Sequence, residues 1–160
     1  MKTIPLTQGK ITIVDDDVYE WASQMNWYAL AACDSNIWYA ARNVNVGKRQ
    51  RIETLHRRII GAIWKEKTDH RDGDGLNNLR SNLRICTHTE NMRNRKLHRN
   101  SGSGLKGVSF EKKFHKYRAR IRVNGHRIHL GMFQSPLQAA KAYNMAAVKY
   151  FGEFARPNIY

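Results

Sequence analysis

Residues 117–130 leave this chain the least freedom. Tyr117, Ala119, Ile121 and Val123 alternate with Arg118, Arg120 and Arg122, the period of a strand with one face buried. Asn124-Gly125 follows, the dipeptide best suited to the positive φ angles of a two-residue hairpin turn. Such a turn sets Val123 opposite His126, Arg122 opposite Arg127, Ile121 opposite Ile128, Arg120 opposite His129 and Ala119 opposite Leu130. One face then carries Ala119, Ile121, Ile128 and Leu130. The other carries Arg118, Arg120, Arg122, Arg127 and His129. Like charges facing each other across strands are destabilising, so this face calls for an anion. The apolar face calls for a cover. Ser135-Pro136 supplies an N-cap and a first-turn proline. Ala139, Ala140, Tyr143, Ala146, Ala147 and Tyr150 follow at helical spacing, and the small alanines permit close approach to a sheet. Three strands are expected at about 107–111, 117–123 and 126–132, with a helix at about 135–151.

The balance of charge agrees with an anionic partner. Over 160 residues the formal net charge is +15, with a pI near 10.2. Long apolar runs are absent, so a polyanion such as nucleic acid is favoured over a membrane. The first ten residues, MKTIPLTQGK, contain no apolar core of a secretory signal. Cys33 and Cys86 stand far apart with no Cys-x-x-Cys pair, which argues against a structural zinc and suits a reducing cytoplasm.

A second stretch, Thr68–Arg95, carries the chemistry. Asp69 and His70 precede Arg71-Asp72-Gly73-Asp74-Gly75, whose Asp-Gly pairs signal turns. Asn82–Cys86 is expected as a short strand, Leu83 and Ile85 alternating with Asn82 and Arg84. Thr87 and Glu90 have capping-box spacing, so a helix is expected to start there, with Asn91 near its first turn. A carboxylate and an amide oxygen, Asp69 and Asn91, are hard ligands for Mg²⁺ or Mn²⁺. His70 titrates near neutrality and is suited to take a proton from water. Arg80, Arg84, Arg93 and Arg95 surround the pair as phosphate contacts. Metal, base and phosphate clamp together describe phosphodiester hydrolysis. Asp72 and Asp74 read as turn formers.

The preceding residues form an α+β lead-in. Ile4–Leu6 and Ile11–Val14 flank Thr7-Gln8-Gly9-Lys10 and are expected to form a hairpin. Asp15, Asp16 and Asp17 open a helix through Val18, Trp21, Ala22 and Met25 as capping acids. Residues 27–30 and 37–40 read as strands. Arg42, Lys48, Arg49 and Arg51 surround Gly47 in a basic loop suited to phosphate. Leu55–Gly61, with His56, reads as a strand-to-helix segment packed behind the Asp69-His70 pair.

Two resemblances follow from these residues. The run from Asp69-His70 through Asn82 to Asn91, within DGDGLNNLRSNLRICT and ENMRNR, resembles the ββα-metal core of HNH endonucleases, in particular the phage and intron-encoded homing group. By position, the resemblance implies Asp69 and Asn91 as metal ligands, His70 as general base, and Asn82 as the residue that holds the loop and orients His70. The runs KGVSFEKK, KYRARIRVNGHRIHLGMF and AAKAYNMAAVKYFGEFARPN resemble the Apetala2 or ethylene-response-factor DNA-binding domain. That resemblance implies a sheet laid in the major groove, with Arg118, Arg120, Arg122 and Arg127 as base or phosphate contacts and Lys112 and Lys113 nearby.

The expected organisation is α+β. A nuclease region spans 1–97, with its metal core at about 55–97. A Gly/Ser-rich linker covers 98–104, and a sheet-and-helix reader covers 105–160. The leading function is a Mg²⁺- or Mn²⁺-dependent endonuclease on double-stranded DNA. It would act as a monomer that nicks, in the cytoplasm of a bacterial or phage-infected cell. The alternative is a sequence-specific DNA-binding regulator whose nuclease core is inactive.

Overall fold

The computed structural model describes residues 1–32, 37–95, 97 and 102–160. Cys33 and most of the expected linker lie outside the described residues. The chain divides into two units, Met1–Asn91 and Met92–Tyr160, and both mix short antiparallel sheets with helices, an α+β architecture.

In the first unit β1 (Lys2–Pro5) and β2 (Ile11–Val14) pair antiparallel around a 3₁₀ turn at Thr7–Gly9. Helix α1 (Asp16–Ala22) follows and buries Val18 and Ala22. Asp15 occupies the N-cap position, but its side chain makes no cap bond. The acids bind elsewhere: Asp15 Oδ2 accepts from the Arg80 backbone N–H at 2.8 Å, and Asp17 Oδ2 from the Arg80 guanidinium at 2.6 Å.

Strands β3 (Tyr28–Ala31), β4 (Trp38–Val46) and β5 (Arg49–Thr54) form one sheet in that order. The expected basic loop is therefore a β-ribbon. Arg42 lies on β4, Arg49 and Arg51 lie on β5, and only Gly47 and Lys48 make the turn. Helix α2 (Leu55–Ile59) follows directly and buries Leu55, His56 and Ile59. The core gathers Ile4, Val14, Val18, Trp27, Ala29, Ala40, Leu55 and Leu83.

β6 (Lys67–His70) pairs antiparallel with β7 (Leu83–Cys86), placing Asp69 opposite Arg84 and His70 opposite Leu83. Asn82 sits in a 3₁₀ turn ahead of the strand, not in it. Arg84 is buried at 8% exposure and Ile85 is 46% exposed. The strand thus turns its charged residue inward, because a buried carboxylate waits there. Helix α3 (His88–Arg93) opens with a two-way capping box: Thr87 N–H donates to Glu90 Oε2 at 2.8 Å, and Glu90 N–H to Thr87 Oγ1 at 3.2 Å.

The second unit holds β8 (Val108–Glu111), β9 (Lys116–Val123) and β10 (His126–Phe133), with β9 central, and α4 (Pro136–Phe151). Ser135 Oγ accepts from Leu137 N–H, and Pro136 is the first helical residue. Four of the five expected hairpin pairs are present. The fifth is not: a bulge between His129 and Gly131 puts Ala119 opposite Gly131. Gly131 takes φ +130° there, and a Cβ would press on the Phe133 ring at 3.0 Å. The bulge still leaves Leu130 packed against the core beneath α4. Tyr150, expected on the buried stripe, is exposed, and Phe151 takes that place.

Gly75 fits under Trp38 and Tyr39: a Cβ would collide with the Trp38 carbonyl and lie 2.6 Å from the Tyr39 ring. Gly75→Ala is expected to destabilise the first unit by about 1–3 kcal/mol. Urea unfolding followed by tryptophan fluorescence measures it directly, since all four tryptophans, Trp21, Trp27, Trp38 and Trp64, lie in that unit.

Candidate active site

The site forms where a loop is tied into a fixed shape between two paired strands. Asn82 does the tying. Its Oδ1 accepts from Asp72 N–H at 3.1 Å, and its Nδ2 donates to Asp72 Oδ1 at 3.0 Å and to the Asn77 carbonyl at 2.8 Å. Asp72 and Asp74 form successive Asx turns, accepting from Asp74 N–H and Leu76 N–H. These bonds hold β6 and β7 together across a loop that has no core of its own.

His70 is buried at 6% exposure. The side chain bound to it is that of Asn78, with Nε2 and Oδ1 separated by 3.1 Å. The sequence reading passed over Asn78, which is fully buried. The other end of its amide settles its orientation. Thr12 Oγ1 lies 2.8 Å from the Leu76 carbonyl, which takes the hydroxyl's one proton. Asn78 Nδ2, 2.7 Å from Thr12 Oγ1, must therefore donate to it. Asn78 Oδ1 then faces His70, and Nε2 carries the ring proton. In neutral His70 the lone pair is on Nδ1.

His56 packs edge-on against His70 with centroids 4.9 Å apart, and Tyr39 lies beside both at 5.3 and 5.9 Å. His56 Nε2 meets Thr54 Oγ1 at 3.3 Å. Burial, then the neighbouring His70 and Arg57, push His56 down to about 3. Burial also lowers His70, against the opposing pull of Asn78 and of Asp72, Asp69 and Asp74. Both rings are neutral near pH 7.

Asp69 is buried at 6% exposure and Arg84 at 8%. Arg84 Nε and Nη2 both donate to Asp69 Oδ2, at 2.9 and 2.6 Å. Arg84 was expected to touch phosphate. Its guanidinium is instead consumed by the carboxylate next to His70. Arg80 is likewise engaged, donating to the Ile59 carbonyl and to Asp17. Asn91 is half-buried on α3, its backbone N–H bonded to the Thr87 carbonyl. Among the described residues no three His, Cys, Asp or Glu side chains gather around a point suited to an ion. A divalent cation here would rest on the oxygens of Asp69 and Asn91 with water and phosphate, a donor set hard enough for Mg²⁺ or Mn²⁺.

In the second unit, Arg93 stacks over the Phe151 ring at 4.8 Å, while Arg95 is exposed. Lys112 and Lys113 sit on an exposed 3₁₀ turn. Arg120, Arg122 and Arg127 are exposed on the outer sheet face, with Arg122 directly opposite Arg127. Arg118 is bound to Glu111 at 2.8 Å.

Comparison with known proteins decides the family. The chain is 32% identical over 157 residues to an uncharacterised HNH endonuclease of Acanthamoeba polyphaga mimivirus, covering 94% of this chain and 76% of that one. The chain belongs to the HNH endonucleases. A shorter match, 39% identical over 57 residues, joins it to protein 3.8 of Escherichia phage T7, spanning 36% of this chain and 47% of that protein. No family model matches. Membership implies a nuclease that binds nucleic acid. Among the described residues no helix is long and apolar enough to cross a membrane.

Because His56 is held neutral in the fold and binds a proton when unfolded, its contribution is complete above about pH 6.5 and is lost on acidification toward 3. The lowered His70 acts in the same direction. Through His56, stability of the first unit is expected to fall between pH 6.5 and 4 by up to about 1.4 kcal/mol per pH unit. Urea titrations across that range measure the slope, and His56→Asn is expected to lower it by one proton.

Proposed function

We propose that this HNH family member is a metal-dependent endonuclease of the homing type. It hydrolyses phosphodiester bonds in double-stranded DNA, acts as a monomer and nicks one strand per event. The observation that carries the reading is the locked His70. A buried, neutral imidazole whose ring is held by the Nε2–H bond to Asn78 is oriented to take a proton. His70 Nδ1 takes that proton from the attacking water. Asn82 keeps the loop closed, and Asn78 fixes the ring's tautomer. Asp69 and Asn91 hold the Mg²⁺ or Mn²⁺, which, when bound, offsets charge developing on the phosphate oxygens. Arg84 donates to Asp69 Oδ2, so a cation held by Asp69 would share the carboxylate with the guanidinium.

The second unit is the sequence reader, consistent with its resemblance to Apetala2 domains. Its three-stranded sheet turns Arg120, Arg122 and Arg127 outward, suited to guanine edges or phosphate. Arg118, pinned by Glu111, presents a fixed guanidinium. Lys112 and Lys113 suit phosphate contact on the adjoining turn. Facing arginines with no acid between them are stabilised when DNA arrives.

The Arg84–Asp69 pair also favours a second reading, a DNA-binding regulator whose carboxylate is permanently neutralised. Nicking of supercoiled plasmid with Mg²⁺ or Mn²⁺ separates the two. His70→Ala is expected to lose cleavage by at least about a hundredfold while DNA affinity stays within twofold. Full activity in that variant overturns the mechanism. Absence of cleavage by the unaltered protein, with no Mn²⁺ binding that Asp69→Asn abolishes, selects the regulator.

Binding is expected to fall about a thousandfold between roughly 50 and 200 mM salt, for about six phosphate contacts. Fluorescence anisotropy on a labelled duplex measures the slope. A flat profile would remove DNA as the partner.

A further inference from the structure

The sheet of the first unit has a face that the active site leaves unused over most of its length. β4 and β5 run past the end of β3, which pairs only as far as Ala41. Beyond it the two strands continue alone from Arg42↔Glu53 to Val46↔Arg49. Residues facing each other across strands, and those two apart along a strand, share a side. One side of this ribbon therefore carries Asn43, Asn45, Gln50 and Ile52, all exposed. The other carries Arg42, Val44, Val46, Arg49, Arg51 and Glu53, with Lys48 at the tip.

The amide side continues the surface on which His70 lies. Tyr39 and Ala41 precede Asn43 and Asn45 at two-residue steps, and Tyr39 packs against both His56 and His70. Thr54, at the other end of the same face, bonds His56. Asn43 is pre-oriented, its Oδ1 accepting from the Tyr28 hydroxyl at 3.2 Å. The same side of the strands thus leads from Tyr39, packed on His70, past the buried Ala41 to a strip of three amides.

We propose that this ribbon enters the major groove of the duplex held at His70, with Asn43, Asn45 and Gln50 reading adenine edges. Three observations choose this occupant. A two-stranded ribbon is among the elements that a groove about 12 Å wide admits. Asn and Gln match adenine N6 and N7 with paired bonds, one donated and one accepted. Lys48, Arg49 and Arg51 lie at and beside the ribbon's tip, while the ribbon's acid, Glu53, is paired with Arg42 and Arg58, which leaves the tip positive as the flanking phosphates require. The ribbon also fixes a distance. Asn43 and Asn45 stand four and six residues beyond Tyr39, about 13–20 Å at strand rise. That length corresponds to about four to six base pairs from the cleaved bond, at roughly 3.4 Å each. Only this distance rests on the nuclease reading; the groove contact does not.

The test uses the full chain and a pool of duplexes randomised over about thirty base pairs. Selection by binding in EDTA and selection by cleavage with Mg²⁺ are both sequenced. The intact protein is expected to enrich adenine in a window four to six pairs from the nick. N45A/Q50A is expected to lose that enrichment by about tenfold or more, with its urea midpoint and salt slope unchanged. K48A/R49A is expected to weaken all sequences alike and to lower the salt slope by about two. An N45A/Q50A profile identical to that of the intact protein overturns the proposal, as does a uniform loss across all sequences. If the intact protein cuts nothing yet the EDTA profile changes in N45A/Q50A, the nuclease reading fails and the ribbon contact stands.

Discussion

One buried amide joins the two halves of the site. Asn78 donates to Thr12 on the second strand of the chain, 66 positions away, and accepts from His70, 8 positions away. A buried amide whose partners are withdrawn costs about 1–3 kcal/mol. The first hairpin and the catalytic loop therefore fold onto each other or leave that group unsatisfied. The Ile13 backbone reinforces the link, donating to the Leu76 carbonyl and accepting from Asn78 N–H. What appears to be an N-terminal appendage is the wall that sets the tautomer of His70.

Around that link the site balances opposite charges in little water. Asp69 is stabilised by Arg84 and both are buried, so removing either alone leaves an uncompensated charge. His70 lies on the neighbouring residue, yet it is neutral because burial outweighs the acids around it. His56, also neutral, packs edge-on against it without adding a charge. A neutral imidazole thus lies beside a charge-compensated carboxylate.

The second unit applies the same physics outward. Its sheet buries Ala119 and Ile121 beneath α4 and leaves arginines exposed on the other face. The two units divide labour by where their charges point. In the first, Arg84 turns inward onto Asp69 and Arg80 braces α1 at the surface through Asp17. In the second, Arg120, Arg122 and Arg127 turn outward.

Local pattern determined a good part of this protein. The hairpin at Asn124-Gly125, the helix opened by Ser135-Pro136, the Thr87–Glu90 capping box and the Asx turns of Asp72 and Asp74 all depend on neighbours within a few residues, so the residues alone revealed them. Bonds between distant segments were not visible. The inward turn of Arg84 depends on Asp69 across the strand pair. The role of Asn78 depends on Thr12, the bracing by Arg80 depends on α1, and the extension of β4 through the basic residues depends on pairing with β5. The bulge that moves Gly131 opposite Ala119 belongs to this group, since it answers to packing beneath α4. Period and turn chemistry act at short range and are written residue by residue. Which charge is buried, and against what, is decided only when segments far apart in the chain compete for the same partner.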